Sequence, residues 1–269
     1  MTLKIRLFFN LLLTAFAIGV FASLYSSLDI SLNNTSEFSG WVLFASTFFL
    51  FLYQLKKRFT FLPLGKSSTW LQSHLYGGLF SSYVFFEHIH WQVPQGLFEI
   101  SLGITFFMTA LTGIFGISLS RRLSYKLSQL DDEIIFETIP ERLTVLREQE
   151  ESVIVNATEE ASSNTLAQFH VNQLSDFFDG PKYFWRHLTN TGKTTPLDAL
   201  KEQERYMNET ELKHAKKLRK IILQKEKVDA HHALQLTLKN WLLIHVPLAY
   251  TTILLLLPHI TIVYAFGGA

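Results

Sequence analysis

The chain has 269 residues, 48% of them hydrophobic, with 24 Phe, no Cys and a formal net charge of +1. This composition is too apolar for an ordinary soluble domain, and no nucleic-acid partner is expected. The absence of cysteine excludes disulfides, thiolate-held iron–sulfur clusters and covalent C-x-x-C-H haem; with no P-loop and no G-x-G-x-x-G after a strand, any electron or energy donor lies outside the chain.

Runs long enough to cross roughly 30 Å of hydrocarbon occur at about Leu7–Leu28, Trp41–Leu55, Thr69–Trp91, Leu97–Leu119 and Asn240–Phe266. They predict an all-α integral membrane protein with five transmembrane helices, the second of them short. The first run follows Lys4 and Arg6 as a signal peptide would, but it is long and ends in no A-x-A site, so it reads as a span. Charge sets the orientation. With the N-terminus in the cytoplasm, Lys4, Arg6, Lys56, Lys57, Arg58, Lys66, Arg121, Arg122 and Lys239 all lie on the cytoplasmic side, whereas the opposite loops, about 29–40 and 92–96, contain no Lys or Arg. The expected location is a bacterial inner membrane, in contact with its lipid.

The domains predicted are residues 1–119, holding the first four spans, a cytoplasmic and mostly helical insert over 120–238, and 239–269, holding the last span. The insert carries 17 of the 24 Lys and Arg and 19 of the 23 Asp and Glu. Within it, Glu133–Ile139 before Pro140 reads as a short strand and Glu141–Ser152 as a helix. The Ser/Thr/Asn/Ala segment through Ser163 reads as loop. Phe177–Trp185 is an aromatic-rich turn expected to pack on the membrane surface, and Pro196–Val228 is helical and increasingly basic. Lys213, Lys216, Lys217, Arg219 and Lys220 read as a solvated face near anionic headgroups.

Two of the spans carry histidines at one separation: His74 and His88 in the third, His245 and His259 in the fifth, each pair 14 residues apart. On a helix this is just under four turns, so both histidines share a face about 21 Å apart along the axis. The third and fifth spans run the same way, which sets His74 level with His245 and His88 level with His259. Ionisable side chains inside a span are costly and by default functional. Two histidines per level are too few for zinc, which takes three or four protein ligands; a haem needs only axial ligands. Gly77, Gly78 and Ser81 fall on the His74/His88 face, and Ala249 and Thr252 on the His245/His259 face, leaving room for a flat macrocycle; small residues also promote close helix packing.

The segments from His74-Leu-Tyr-Gly-Gly to Glu-His88 and from His245-Val-Pro-Leu-Ala to Pro-His259 resemble the two-haem membrane cytochromes b. They are most similar to the ferric-reductase-like transmembrane domain shared with NADPH oxidases, which carries such pairs on its third and fifth spans. The resemblance covers about Thr69 to Phe266. It implies a haem-binding bundle with two haem b groups, the inner iron held by His74 and His245 and the outer by His88 and His259. It also implies transmembrane electron transfer as an electron-transfer subunit of a ferric-reductase-like or quinol-linked oxidoreductase. Redox partner proteins or a quinol would act as donor and acceptor. The pattern here differs in its large insert and in having no sixth span or flavin–NADPH domain within these residues. The alternative from another class is a haem-free transporter or anchor subunit using the histidines as a proton relay, although the central thirds of the spans carry no charge.

Three further histidines are weaker site candidates. His90 lies about 160° from the His74 face and suits an interfacial hydrogen-bonding role, or, with Glu87, proton acceptance from a quinone-type donor near the outer haem. His231 is again 14 residues from His245; it defines a possible third haem site with His170, His187 or His214 as second ligand. His231 and His232 otherwise contact headgroups or a haem propionate, and Lys56, Lys57, Arg58 and Lys239 are placed to receive inner propionates.

Overall fold

The computed structural model describes residues 3–31, 34–58, 65–130, 132–161, 164–189 and 196–266. Among these every regular element is helical: α1 Leu3–Ile30, α2 Thr35–Arg58, α3 Ser67–His88, α4 Leu97–Ser128, α5 Ile139–Ala161, α6 Thr165–Phe169, α7 Ser175–Phe178, α8 Phe184–Thr189, α9 Pro196–Gln203 and α10 Glu209–Phe266. The chain divides into two compact units, one comprising Met1–Ser118 with Trp241–Ala269 and the other Leu119–Asn240.

In the first unit α3 packs against both α1 and α2. Its core is aromatic, with Phe21, Leu43, Val84 and Phe85 buried among Phe38, Phe80 and Phe106. Hydroxyls join the helices where the side chains are small: Ser81 Oγ donates to Ser46 Oγ at 2.8 Å, and the Thr109 and Thr252 hydroxyls meet at 3.1 Å. On α1, Phe8, Phe9, Leu12, Leu13 and Phe16 are all exposed, a surface suited to hydrocarbon. Among the described residues four helices are long and apolar enough to cross a membrane, Ile5–Ile30, Thr35–Gln54, Leu97–Ser128 and part of Glu209–Phe266, and α3 is not one of them. α3, the predicted third span, is 22 residues long. Gln72, Ser73, Ser81, Ser82 and Glu87 dilute its apolar content, and packing between α1 and α2 reduces its need for an apolar exterior.

The second unit has its own apolar core. One face of α5 supplies Ile139, Leu143, Leu146, Ile154 and Ala157, and one face of α10 supplies Ala215, Leu218, Ile222 and Val228, both at helical spacing. An Asn208/Glu211 capping box starts α10: Glu211 N donates to Asn208 Oδ1 at 2.8 Å and Asn208 N to Glu211 Oε2 at 3.2 Å. At the centre, Lys225 Nζ lies 2.6 and 2.7 Å from the two Asp229 carboxylate oxygens. Both side chains are fully buried. The same ammonium donates to Gly180 O at 2.8 Å and lies over the Phe177 ring. Gly180 adopts φ +139°, open to glycine and strained for other residues.

Three local expectations are corrected here. Glu133–Ile139 is not a strand: Phe136–Thr138 forms a 3₁₀ turn leading into α5, and among the described residues there is no strand for it to pair with. The segment read as loop is helical through Ala161, since burying Ile154 and Ala157 outweighs the weak helix propensity of its Asn and Thr; Ser162 and Ser163 lie outside the described residues. The Phe177–Trp185 aromatics are not all surface groups, because Phe177 and Phe178 are buried in the unit's core, although Trp185 is exposed.

On α8, burial and the nearby Arg186, Lys225 and Lys126 charges pull the His187 imidazole down to about 4. It is therefore neutral in the fold, whereas the unfolded chain takes up a proton near its ordinary value of about 6.5. Its contribution to stability is fully present above that value and is lost as pH falls toward the folded one. The melting-temperature difference between the parent and His187→Gln should thus shift against the parent between about pH 7 and pH 4.5. A difference independent of pH would contradict this.

Candidate functional site

The four histidines of the repeated spacing meet in two pairs within the first unit. The ring centroids of His74 and His245 are 6.4 Å apart with planes at 88°, and those of His88 and His259 are 6.5 Å apart at 90°. A ring nitrogen binds a metal at about 2 Å, and the centroid lies about 1 Å behind that nitrogen. Two imidazoles on opposite sides of one metal therefore place their centroids roughly 6 Å apart, whereas a tetrahedral angle brings them to about 5 Å. Both observed spacings, 6.4 and 6.5 Å, are compatible with two imidazoles on opposite sides of one metal.

Hydrogen bonds at Nδ1 bear on which nitrogen of each ring carries the proton. His74 Nδ1 lies 3.1 Å from the Leu50 carbonyl, which can only accept, so Nδ1 carries the proton and Nε2 keeps its lone pair. His88 Nδ1 lies 3.1 Å from Ser39 Oγ, whose own hydrogen goes to Ser36 O. His245 Nδ1 lies 3.0 Å from Thr112 Oγ1, whose hydrogen goes to Met108 O. A hydroxyl that gives its hydrogen to the helix carbonyl can accept from Nδ1, an arrangement compatible with the same tautomer. Metal-bound histidines characteristically use their second nitrogen this way. His259 differs: its Nδ1 is buried without a hydrogen-bond partner, and its ring stacks on Phe98.

Glycines let neighbouring helices approach two of these rings. A Cβ on Gly40 of α2 would come within 3.1 Å of His88 Cε1, and one on Gly113 of α4 within 3.3 Å of His245 Cε1. The faces expected to be hollow are only partly so. Gly77 is closed by Leu50 at 3.2 Å and Ser81 is bonded to Ser46, while a Cβ on Gly78 would meet nothing within 4 Å. Close packing thus accounts for the first two. A cavity of about 630 Å³ includes His88, His259, Gly40, Gly103, Thr47 and Thr252 in its lining, within the size range of small-ligand sites. The polar residues of its lining include Asn34, Ser36, Gln95, Tyr264, Glu37 and Glu99 but no Lys or Arg. At this level neutral donors would have to meet the propionates of a haem. Beside His74, the Tyr53 ring lies with its centroid 5.0 Å away at a tilt of 35°, and Lys57 Nζ lies 5.7 Å from the Tyr53 ring centroid.

The other sequence candidates are placed as follows. His90, at φ +50°, has Nδ1 3.1 Å from Tyr25 OH and Nε2 3.1 Å from Ser36 Oγ. Glu87 Oε1 accepts from Trp91 Nε1 at 3.4 Å. His231 Nδ1 faces the Gln235 amide nitrogen at 3.3 Å, which also donates to Ile134 O. The proton of His231 is therefore on Nε2, the opposite tautomer from the first three. His170 and His214 are held by Glu150 at 2.7 Å and Glu160 at 3.0 Å, and His232 stacks on Phe136. Among the basic residues expected near propionates, Lys56 donates to Gly65 O and Lys239 pairs with Glu137. Arg58 has no described side chain. Sequence reasoning missed Ser39, Gly40, Thr112 and Gly113, whose signal is a hydroxyl residue followed by glycine on each of two helices. No family profile, curated protein or solved structure matches the chain.

Proposed function

We propose that the chain is a dihaem membrane cytochrome b that carries electrons across a membrane between a separate donor and acceptor. The observation that carries this reading is the double pairing of His74 with His245 and His88 with His259 at a separation suited to opposed ligation of one metal. A haem b at each level would supply a one-electron ferric/ferrous couple. The chain's own residues contribute the rest. His74, His88 and His245 present unprotonated Nε2 atoms, Leu50, Ser39 and Thr112 hold their Nδ1 protons, and the apolar helices lower the local dielectric. The helix rise sets the two levels about 21 Å apart. We place the α3 histidines in a third span and the Leu119–Asn240 unit on the cytoplasmic side, from the distribution of Lys and Arg in the loops. The donor class is a quinol or a flavoprotein.

The proton-relay alternative has weaker support. The Nδ1 partners of His74, His88 and His245 are a carbonyl and two hydroxyls, which do not titrate near neutral pH. Ligation is tested by reduced-minus-oxidised absorption together with the electron paramagnetic resonance of the oxidised purified protein. Low-spin bis-imidazole haem is expected; high-spin haem with an open coordination position would overturn the assignment.

A further inference from the structure

The helices that carry no ligating histidine repeat one small device. On α2, Ser39 Oγ is the partner of His88 Nδ1, and the adjacent Gly40 lets the backbone reach the edge of that ring. On α4, Thr112 Oγ1 is the partner of His245 Nδ1, and the adjacent Gly113 does the same. Each hydroxyl has a carbonyl earlier in its helix to take its own hydrogen, which leaves it able to accept from the histidine. Ser39 is fully buried, where water cannot replace the bond. At His245 the device is extended. Trp241, one turn away on α10, stacks on the imidazole with centroids 5.5 Å apart and planes 16° apart. Its indole N–H donates to the carbonyl of the same Thr112 at 2.9 Å. Gly116 then leaves space for the indole, which a Cβ would overlap.

We propose that Ser39-Gly40 and Thr112-Gly113 are paired cradles, one for each haem level, that fix the plane of one axial histidine and strengthen it as a donor. Trp241 completes the inner cradle. Ser39, Thr112 and Trp241 are thus positioning residues acting through His88 and His245, an assignment that rests on the dihaem reading. An accepted Nδ1 proton shifts electron density to Nε2 and favours the ferric state of a bound iron. Each cradle therefore holds down the reduction potential of its own level.

The test is a crossed comparison on the purified full-length protein, with potentials read by redox titration and ligand planes by electron paramagnetic resonance. Thr112→Val should raise the potential of the haem that His74 serves, and Ser39→Ala that of the haem that His259 serves. Each change is about tenfold in the ferrous-to-ferric ratio, or 59 mV for one electron, with the other haem unmoved. Thr112→Ser, which keeps the acceptor, should restore the parent value, and Trp241→Phe, which keeps a ring but loses the N–H, should broaden the inner signal alone. Two haems whose potentials and signals stay the same in Thr112→Val and Ser39→Ala would overturn the proposal, as would both variants shifting the same haem. If Thr112→Val instead loses its haem, recovery in Thr112→Ser supports the cradle and failure to recover overturns it. A parent protein that binds no haem would overturn the dihaem reading itself.

Discussion

Replacing His74 with Ala is expected to remove one haem and leave the other with its parental spectrum and potential; His259→Ala is expected to do the reverse. The two histidines lie on different helices at different levels, against His245 and His88 respectively. Loss of one axial ligand opens a coordination position at that level and leaves the other level's ring pair intact. Loss of a supporting hydrogen-bond partner costs about 10–100-fold in metal affinity, so loss of a ligand should reduce occupancy at that level below detection. His90→Ala should retain both haems, because its ring nitrogens are bonded to Tyr25 and Ser36 instead of facing a second histidine. His231→Ala should also retain both, given the proton on its Nε2. The check is haem content with optical redox titration of each variant. If His74→Ala and His259→Ala abolished the same redox component, the level-by-level pairing would be wrong.

The second large effect belongs to the Leu119–Asn240 unit. Lys225→Met leaves the Asp229 carboxylate fully buried with its ammonium partner gone and deprives Gly180 O of its donor. Breaking one side of a buried ion pair costs about 3–5 kcal/mol. For a unit of this size that corresponds to a fall in melting temperature of roughly 10 °C or more. Replacing both partners with apolar groups removes the stranded charge, so Lys225→Met combined with Asp229→Leu should recover most of the loss. Circular dichroism melts of the parent, the single variant and the double variant provide the comparison. A double variant no more stable than Lys225→Met would show that the pair is not an isolated charge-compensation unit.

The apolar runs and the 14-residue repeat of histidines made much of the first unit legible in the sequence. α1, α2 and α4 cover the first, second and fourth predicted runs, α3 covers the third only as far as His88, beyond which residues 89–91 form a turn, and the interval between histidines indicated which rings would meet. The hydrophobic signal for α3 was less secure, because a helix flanked by α1 and α2 can carry serines and a glutamate that a lipid-facing helix would not. In the second unit, local signals misled where long-range burial decided. Asn156 and Thr158 look like loop residues, yet they flank Ala157, which α5 must bury together with Ile154. Phe177 and Phe178 look like membrane contacts, yet they pack in the core near Lys225. The supporting residues of the candidate site were hidden for another reason. Ser39-Gly40 and Thr112-Gly113 are unremarkable dipeptides until helix packing places each beside a histidine 49 or 133 residues away in sequence.

The most direct test of the central claim is the haem stoichiometry of the full-length protein, expressed with ample haem supply, purified and assayed by haem extraction against protein concentration. The account predicts two non-covalent b haems per chain, both reducible. A protein that is properly folded by circular dichroism but contains no haem would contradict it, and would leave the paired histidines to a different chemistry.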